Sequence, residues 1–547
     1  MRASVIRQQR FQMAAQTEST GYVVAAPVGG LNARDAWANM PETDAIILDN
    51  WFPQPTWVEF RGGKSTLATF TGTCQTLAAY NSLSGTNQLF AGVINAGVGS
   101  VYRVDNAGGG SAGAAKVGGA GNTIQAVTNT QYDWLQIGTG SAEVLYLLNG
   151  ADNPLLYDGT NWQAVTTVSA PYALTGGPTP LSGLSQVARY KSRLWFVQGG
   201  TFNVYYLPQN VFAGALTLIN MAPNFNLGGS LAMIATNSVD NASGINDYIA
   251  FISTQGEVVL FQGYDPAQVS TWYEAGHFRI GRPLALGRRG WVKLGSDAAV
   301  LCIDGLTPLS KALVADRSQP LIAITDKIRD AINFDGMAYG NIWGWQTMLY
   351  PAGKKIIVNV PTTVNVASYQ YVQNTISGAW CTFGKYNSPW NALCFETMGD
   401  NLYYGTVNSC AQGDTGTDDS GSSYTVTAKP AFSYMEDRER QKTFTQCQPV
   451  FQVTGNVTFI INMLVDFDQT APTSTVPLSS GNSAVWNVSL WNVTYWGDTI
   501  QIIKPWIGLN ASGYAASMEL RANVKGITGR WQSTNYLYKP GSLFYGT

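Results

Sequence analysis

The chain predicts an all-β protein: a β-propeller-like domain of about six or seven blades and an additional β domain of platform or sandwich type after it. Three observations lead there. A unit consisting of a short apolar and aromatic strand, a small turn and a second strand rich in Tyr, Val or Phe recurs along most of the 547 residues. Gly numbers 58 and aromatic residues make up 12%, a composition suited to many short strands joined by tight turns. Helical periodicity is confined to one stretch, "IAITDKIRDAI" from about Ile322 to Ile332, with Thr325 or Asp326 as a cap.

The unit appears in "NQLFAGVINAGVGSVYRVD", "EVLYLLNGADNPLLYD" and "SRLWFVQGGTFNVYYL", then in "DYIAFISTQGEVVLFQG", "DAAVLCIDGLTPLS", "KKIIVNVPTTVNVASYQYV" and "DNLYYGTVNS". With Leu89, Leu145, Leu194, Ile249, Val300, Ile356 and Leu402 as equivalent points, the spacing is roughly 46 to 56 residues, the upper end of the range for propeller repeats. Each unit supplies two strands plainly, and the rest of the period has room for the two more that a four-stranded blade needs. Two units close with a turn and a tryptophan, Asp158-Gly159-Thr160-Asn161-Trp162 and Ser377-Gly378-Ala379-Trp380. A large apolar ring after a turn is expected to wedge between neighbouring sheets.

The regularity ends at both termini. Residues 1–60 read as an arm followed by an approach segment, where Pro41, Pro53 and Pro55 preclude continuous helix. Residues 61–410 carry the propeller units. Residues 411–423, "AQGDTGTDDSGSS", read as a linker or exposed loop, and 424–547 as a C-terminal β domain with strands in "FQVTGNVTFIINMLVDFD" and "SAVWNVSLWNVTYW". The first residues, "MRASVIRQQRFQMAAQTEST", lack the apolar core of a secretion signal, and no run of about eighteen apolar residues follows, so no stable membrane insertion is expected.

Charge is sparse: 12% of residues against roughly 25% in ordinary globular chains, so extensive burial against partner subunits is expected. The net charge of −2 supplies no global attraction for nucleic acid, and contact with DNA would be local. Cys74, Cys302, Cys381, Cys394, Cys410 and Cys447 include no Cys-x-x-Cys pair and read as free buried thiols.

Individual motifs resolve mostly into scaffold. "FRGGKST" ends like a phosphate-binding loop, but the leading glycine of G-x-x-x-x-G-K-S/T would fall at Val58, and a strand-rich stretch rather than a helix follows Ser65. Strand-turn-strand is the reading. His277 is the only histidine, and with no nucleophile elbow it reads as structural or superficial. The aspartates of 414–421 lack the order and the final Glu of a calcium loop. No Ser-x-Asp-x-Gly sialidase box occurs, because Asp158 directly precedes Gly159, and no catalytic carboxylate pair stands out among the 34 acids. "HFRIGRPLALGRRGW" gathers Arg279, Arg282, Arg288 and Arg289, candidates for contact with DNA phosphate or with acids across a subunit interface. The Gly-rich "VDNAGGGSAGAAKVGGAGNT" reads as a spacer. No cofactor, metal or nucleotide is called for, and no enzymatic activity is expected.

Gly29-Gly30-Leu31-Asn32, Met40-Pro41-x-x-Asp44-Ala45, Leu48-x-Asn50 and Val58-Glu59-x-Arg61-x-Gly63, with "IDGLTPLS" at 303–310, resemble the signature of tail nozzle or tail tubular proteins of short-tailed bacteriophages. The resemblance is concentrated in residues 25–70. It implies a virion tail component made in the host cytoplasm, a homo-hexamer beneath the ring of adaptor subunits. Such a ring continues the channel for double-stranded DNA, retains the packaged genome, gates its ejection and presents surfaces to fibre or spike proteins. The family supplies no catalytic motif to carry over. The alternative from the residues alone is a carbohydrate-binding or carbohydrate-active propeller, with Trp162 or Trp380 stacking on sugar.

Overall fold

The computed structural model describes residues 19–541 except 84, 86, 106–114, 117–125, 140–141, 242–243, 269, 315–322, 470–473 and 479–500. The first eighteen residues, most of the Gly-rich spacer and "SAVWNVSLWNVTYW" therefore lie outside the described residues. The chain is all-β, 54% strand and 7% helix, with a five-blade β-propeller-like arrangement.

Three of the five sheets are four-stranded antiparallel meanders that run from the inside outward. One holds Asp133–Thr139, Ala142–Leu148, Leu155–Tyr157 and Trp162–Ala164. The next holds Leu184–Tyr190, Arg193–Gln198, Asn203–Tyr206 and Thr217–Asn220. The third holds Leu231–Asn241, Gly244–Ser253, Glu257–Gln262 and Tyr273–Arg279. A three-stranded sheet follows, Trp291–Leu294, Asp297–Cys302 and Gly305–Pro308. The fifth has seven strands in the order Cys394–Met398, Asn401–Gly405, Val407–Gly413, Lys64–Tyr80, Gln88–Asn95, Val98–Arg103 and Ala115–Lys116.

Stacking of sheet on sheet explains why the repeated strands read as apolar runs rather than as alternations. Along Ala142–Leu148, Leu145 and Leu147 enter the core shared with the sheet before, while Val144, Tyr146 and Leu148 enter the core shared with the sheet after. Trp195 and Leu194 divide in the same way between the next two cores. A strand buried on both faces has no polar side to alternate with. The seven equivalent points all fall in the second strand of their unit.

Trp162 and Trp380 are buried. Trp162 meets Phe90 of the neighbouring sheet edge-on at 4.9 Å, and the Trp380 indole N–H donates to the Ile324 carbonyl at 3.4 Å. Neither ring is free to stack on a sugar.

Two further sheets face one another. The first contains Gln501–Ile503, Lys442–Val453, Gly529–Pro540, Val58–Phe60 and Trp51–Pro53, joined by Thr20–Ala25 and Ile507–Gly513. The second runs Gln346–Tyr350, Lys355–Thr363, Ala367–Asn374, Trp380–Phe383, Asp44–Asp49, Tyr424–Pro430, Ala516–Val524, Val457–Val465 and Ser474–Leu478, with Gly30–Leu31 beside Asp44–Asp49. Phe451 and Trp531 from the first pack with Phe459, Met518 and Leu520 from the second in one core.

Several boundaries differ from the sequence reading. Residues 20–60 are not an approach segment, because their strands are built into both of these sheets. Asp49 pairs with Thr382 and with Thr427, so residues 346–383 and 424–524 share one continuous sheet across the expected boundary. Residues 411–413 complete the strand Val407–Gly413, and 414–423 form a loop anchored at buried Asp419. The helix lies later than its pattern indicated: a single 3-10 turn covers Asp326–Ile328 and the α-helix is Arg329–Tyr339. Among the described residues no helix is long and apolar enough to cross a membrane.

Candidate functional site

The first strand of each propeller sheet is its innermost, and these strands converge on one cavity of about 420 Å³. Asp133 and Trp134 come from Asp133–Thr139, Gln186 and Arg189 from Leu184–Tyr190, Ile234 and Thr236 from Leu231–Asn241. Trp291 and Lys293 come from Trp291–Leu294, Gln346 and Met348 from Gln346–Tyr350, Glu396 and Thr397 from Cys394–Met398. One strand from each of the five propeller sheets meets here, with Gln346–Tyr350 of the ten-stranded sheet beside them, which places the cavity on the propeller axis.

Arg288 organises its chemistry. It sits on the 3-10 turn Gly287–Gly290, its guanidinium 3.5 Å from the centre of the Trp134 ring and 3.5 Å from Glu396 Oε2. One Nη donates to the Trp134 carbonyl at 3.2 Å. Burial pushes the Glu396 carboxyl up to about 7, against the opposing effects of Arg288 and the Thr397 amide. Asp133 is buried and accepts the Arg288 amide at 2.8 Å and the Val187 amide at 2.9 Å. Burial raises it to about 6, while those two amides and the charges of Arg288 and Arg289 oppose the rise. Asp133 is thus a staple between three elements, and burial raises both carboxyls toward neutrality.

The four arginines of the sequence cluster do not act together. Arg279, at the end of its outer strand, and Arg282 are exposed. Arg288 faces the axial cavity. Arg289 is buried, and its donors go to the carbonyls of Gln75, Gly344, Trp345 and Leu393 at 2.8 to 3.3 Å, with Trp343 at 4.6 Å from the guanidinium. Buried, with four of its five N–H donors spent on backbone carbonyls, it is not presented to phosphate. His277 lies 3.5 Å from Glu257, whose carboxylate caps the amides of Asn226 and Leu227, a structural setting. Among the described residues no cluster of three or more His, Cys, Asp or Glu is placed to hold a metal.

The signature segment forms a second concentrated polar site, and it is a clasp. Arg61 donates to both Asp419 oxygens at 2.9 and 2.8 Å and to Asn50 Oδ1 at 2.8 Å, with Tyr424 at 4.1 Å from the guanidinium. Asp44 accepts from Asn32 at 2.8 Å and Lys327 at 2.7 Å. A Cβ on Gly29 would lie 2.0 Å from Asp44 Oδ1, and one on Gly63 1.9 Å from the Asp418 carbonyl. "FRGGKST" thus grips its own chain.

Asp133 and Glu396 were not singled out from the sequence, since each stands alone in its local pattern. The available signal was an acid at an inner-strand position of two different units.

No family model and no curated protein matches the chain. Among solved structures it is similar to an exo-beta-1,3-galactanase from Phanerochaete chrysosporium with galactose (12% identity, 87% of this chain and 100% of that one, TM-score 0.26). It is also similar to a glycoside hydrolase family 43 arabinoxylan arabinofuranohydrolase from Bacillus subtilis in complex with cellotetraose (10%, 86% and 98%, TM-score 0.25), and to YCF48 bound to D1 peptide (10%, 67% and 97%, TM-score 0.35). The expectation of a chain without enzymatic activity is corrected here: glycoside hydrolases stand among these neighbours, and that expectation is set aside.

Proposed function

We propose that the chain is a structural subunit of a short-tailed bacteriophage tail, a nozzle protein that assembles as a ring below the adaptor and continues the DNA channel. One observation carries the reading. Of the residues that resemble the nozzle signature, Gly29, Gly30, Asn32 and Asp44 pack and hydrogen-bond within one facing sheet, while Asn50, Arg61 and Gly63 tie the other to the 414–423 loop that leaves the propeller strand Val407–Gly413. A signature spent on a buried junction belongs to an architecture, and the sparse charge of the chain suits subunits that bury flank against flank.

We read the propeller as seven units. The strand Lys64–Tyr80 supports this count, because its first part pairs with Val407–Gly413 and its second part with Gln88–Asn95. It would complete the last unit and begin the first. Gln346–Tyr350 through Trp380–Phe383 form a four-stranded meander of the same kind within the larger sheet.

Electron microscopy of the purified chain, alone and mixed with an adaptor ring, tests the assembly. Six-fold rings stacked on the adaptor are the expected result, and a persistent monomer that never joins the ring refutes the proposal.

A second reading is favoured by Glu396 at the axis: a carbohydrate-binding or carbohydrate-active propeller whose ligand enters the axial cavity. Glycan-array binding or release of reducing sugar that is lost in Glu396→Gln, with the fold retained, supports it. Absence of both in the wild-type chain removes it.

A further inference from the structure

Two thiols far apart in sequence meet inside the seven-stranded propeller sheet. Cys74 lies on Lys64–Tyr80 and Cys394 begins Cys394–Met398, 320 residues apart in sequence, yet their sulfur atoms are 3.7 Å apart. Both are buried. Space for the meeting comes from Gly405, where a Cβ would lie 2.3 Å from Cys74 Sγ and 2.9 Å from Cys394 Sγ. Arg289 holds the two strands in register beside them, donating to the Gln75 carbonyl at 2.9 Å and the Leu393 carbonyl at 2.8 Å.

We propose that Cys74 and Cys394 are a dithiol modification site, which a small peroxide oxidises to a disulfide that locks the propeller shut. The sulfurs need to close by about 1.7 Å to reach the bond length of roughly 2.0 Å. The pair is also chemically unequal. Burial raises both thiols, but at Cys394 the hydrogen bond from Cys74 and the charge of Arg289 outweigh it and hold the group below its ordinary value. Cys74 is pushed up, by burial first and then by Cys394 itself. Cys394 is the nucleophile and Cys74 the resolving thiol.

The Cys394 thiolate attacks one oxygen of hydrogen peroxide, the O–O bond breaks, and sulfenic acid and hydroxide form. Cys74 gives up its proton and attacks the Cys394 sulfur, so that the S–S bond forms as the S–O bond breaks. Two thiols and one peroxide become one disulfide and two waters. The reverse change needs a dithiol reductant.

The experiment treats the full chain with hydrogen peroxide, alkylates it under denaturing conditions and maps the peptides. The expected result is a crosslinked peptide joining Cys74 to Cys394, reversed by dithiothreitol, with loss of two alkylatable thiols and a rise of a few degrees in the unfolding midpoint. Cys74→Ser should abolish the crosslink and leave a sulfenic acid on Cys394 that dimedone traps, while Cys381→Ser should leave the crosslink unchanged. If Cys74→Ser does not fold, Cys394→Ser serves, with the crosslink lost and no dimedone adduct at Cys74. Six unmodified thiols in the wild-type chain after peroxide, or a crosslink involving Cys410 in place of either partner, overturns the proposal.

Discussion

Replacing Arg61 with Met removes the cation from the clasp while keeping much of the side-chain volume. The Arg61 side chain is fully buried and that of Asp419 is 8% exposed, so the carboxylate loses two charge-assisted hydrogen bonds where water cannot replace them. Asn50 loses a donor as well. Stranding one partner of a buried pair costs about 3–5 kcal/mol, and the lost contact of the guanidinium with the Tyr424 ring acts in the same direction. Urea unfolding followed by tryptophan fluorescence measures the loss. The decisive comparison is the double variant Arg61→Met, Asp419→Leu. If the penalty comes from an uncompensated charge, removing that charge restores most of the stability, and the two changes are strongly non-additive. A single-variant cost under about 1 kcal/mol, or simple additivity, refutes the clasp as a linked electrostatic unit.

Three further outcomes follow from the same geometry. Gly63→Ala, which puts a methyl group 1.9 Å from the Asp418 carbonyl, should destabilise by more than about 2 kcal/mol, whereas Gly378→Ala, in open space at φ +73°, should cost about 1 kcal/mol from backbone strain alone; urea midpoints compare them. Glu396 rises from its ordinary 4.5 to about 7 in the folded chain, so the folded state retains a proton that the unfolded chain releases. Its stabilisation is complete below 4.5 and lost as pH rises through about 7, a change of about 3 kcal/mol that Glu396→Gln should flatten in a pH series of unfolding free energies. Arg289→Met should strand buried carbonyls at about 1–3 kcal/mol each, and Arg279→Ala should change stability by less than about 0.5 kcal/mol, both read by the same denaturation.

The repeat was legible because each second strand is packed on both faces. Leu145 and Ile249 stand in apolar runs for that reason, and the runs recur at the spacing of the sheets. The arginine cluster was not legible in the same way. Arg279, Arg282, Arg288 and Arg289 are close in sequence, but an outer strand, a connection and a tight turn send them to the surface, the axis and the interior. Proximity along the chain carries no information about facing direction across such breaks. The clasp residues stood out only as a resemblance, and their physical content was hidden, since Arg61 and Asp419 are 358 residues apart. The axial acids were hidden for a related reason: Asp133 and Glu396 belong to one cavity only after the strand order closes.

That closure makes a kinetic demand which the local units do not. The turn between Cys302 and Gly305 joins neighbours in sequence, whereas Cys410 pairs with Ala68 and Gly413 with Lys64 across most of the chain. Pairing at such separation carries a loop-closure cost that short hairpins avoid, and it should form late. The thiols report this order, since Cys302 lies in a local hairpin and Cys74 at the closing strand. Refolding from urea under reducing conditions, with pulses of a fast alkylating reagent and peptide mapping, should show Cys302 protected first and Cys74 and Cys394 protected together later. Equal protection rates for Cys302 and Cys74 would show that the ring closes in the same step that forms its units, and the late-closure argument would fail.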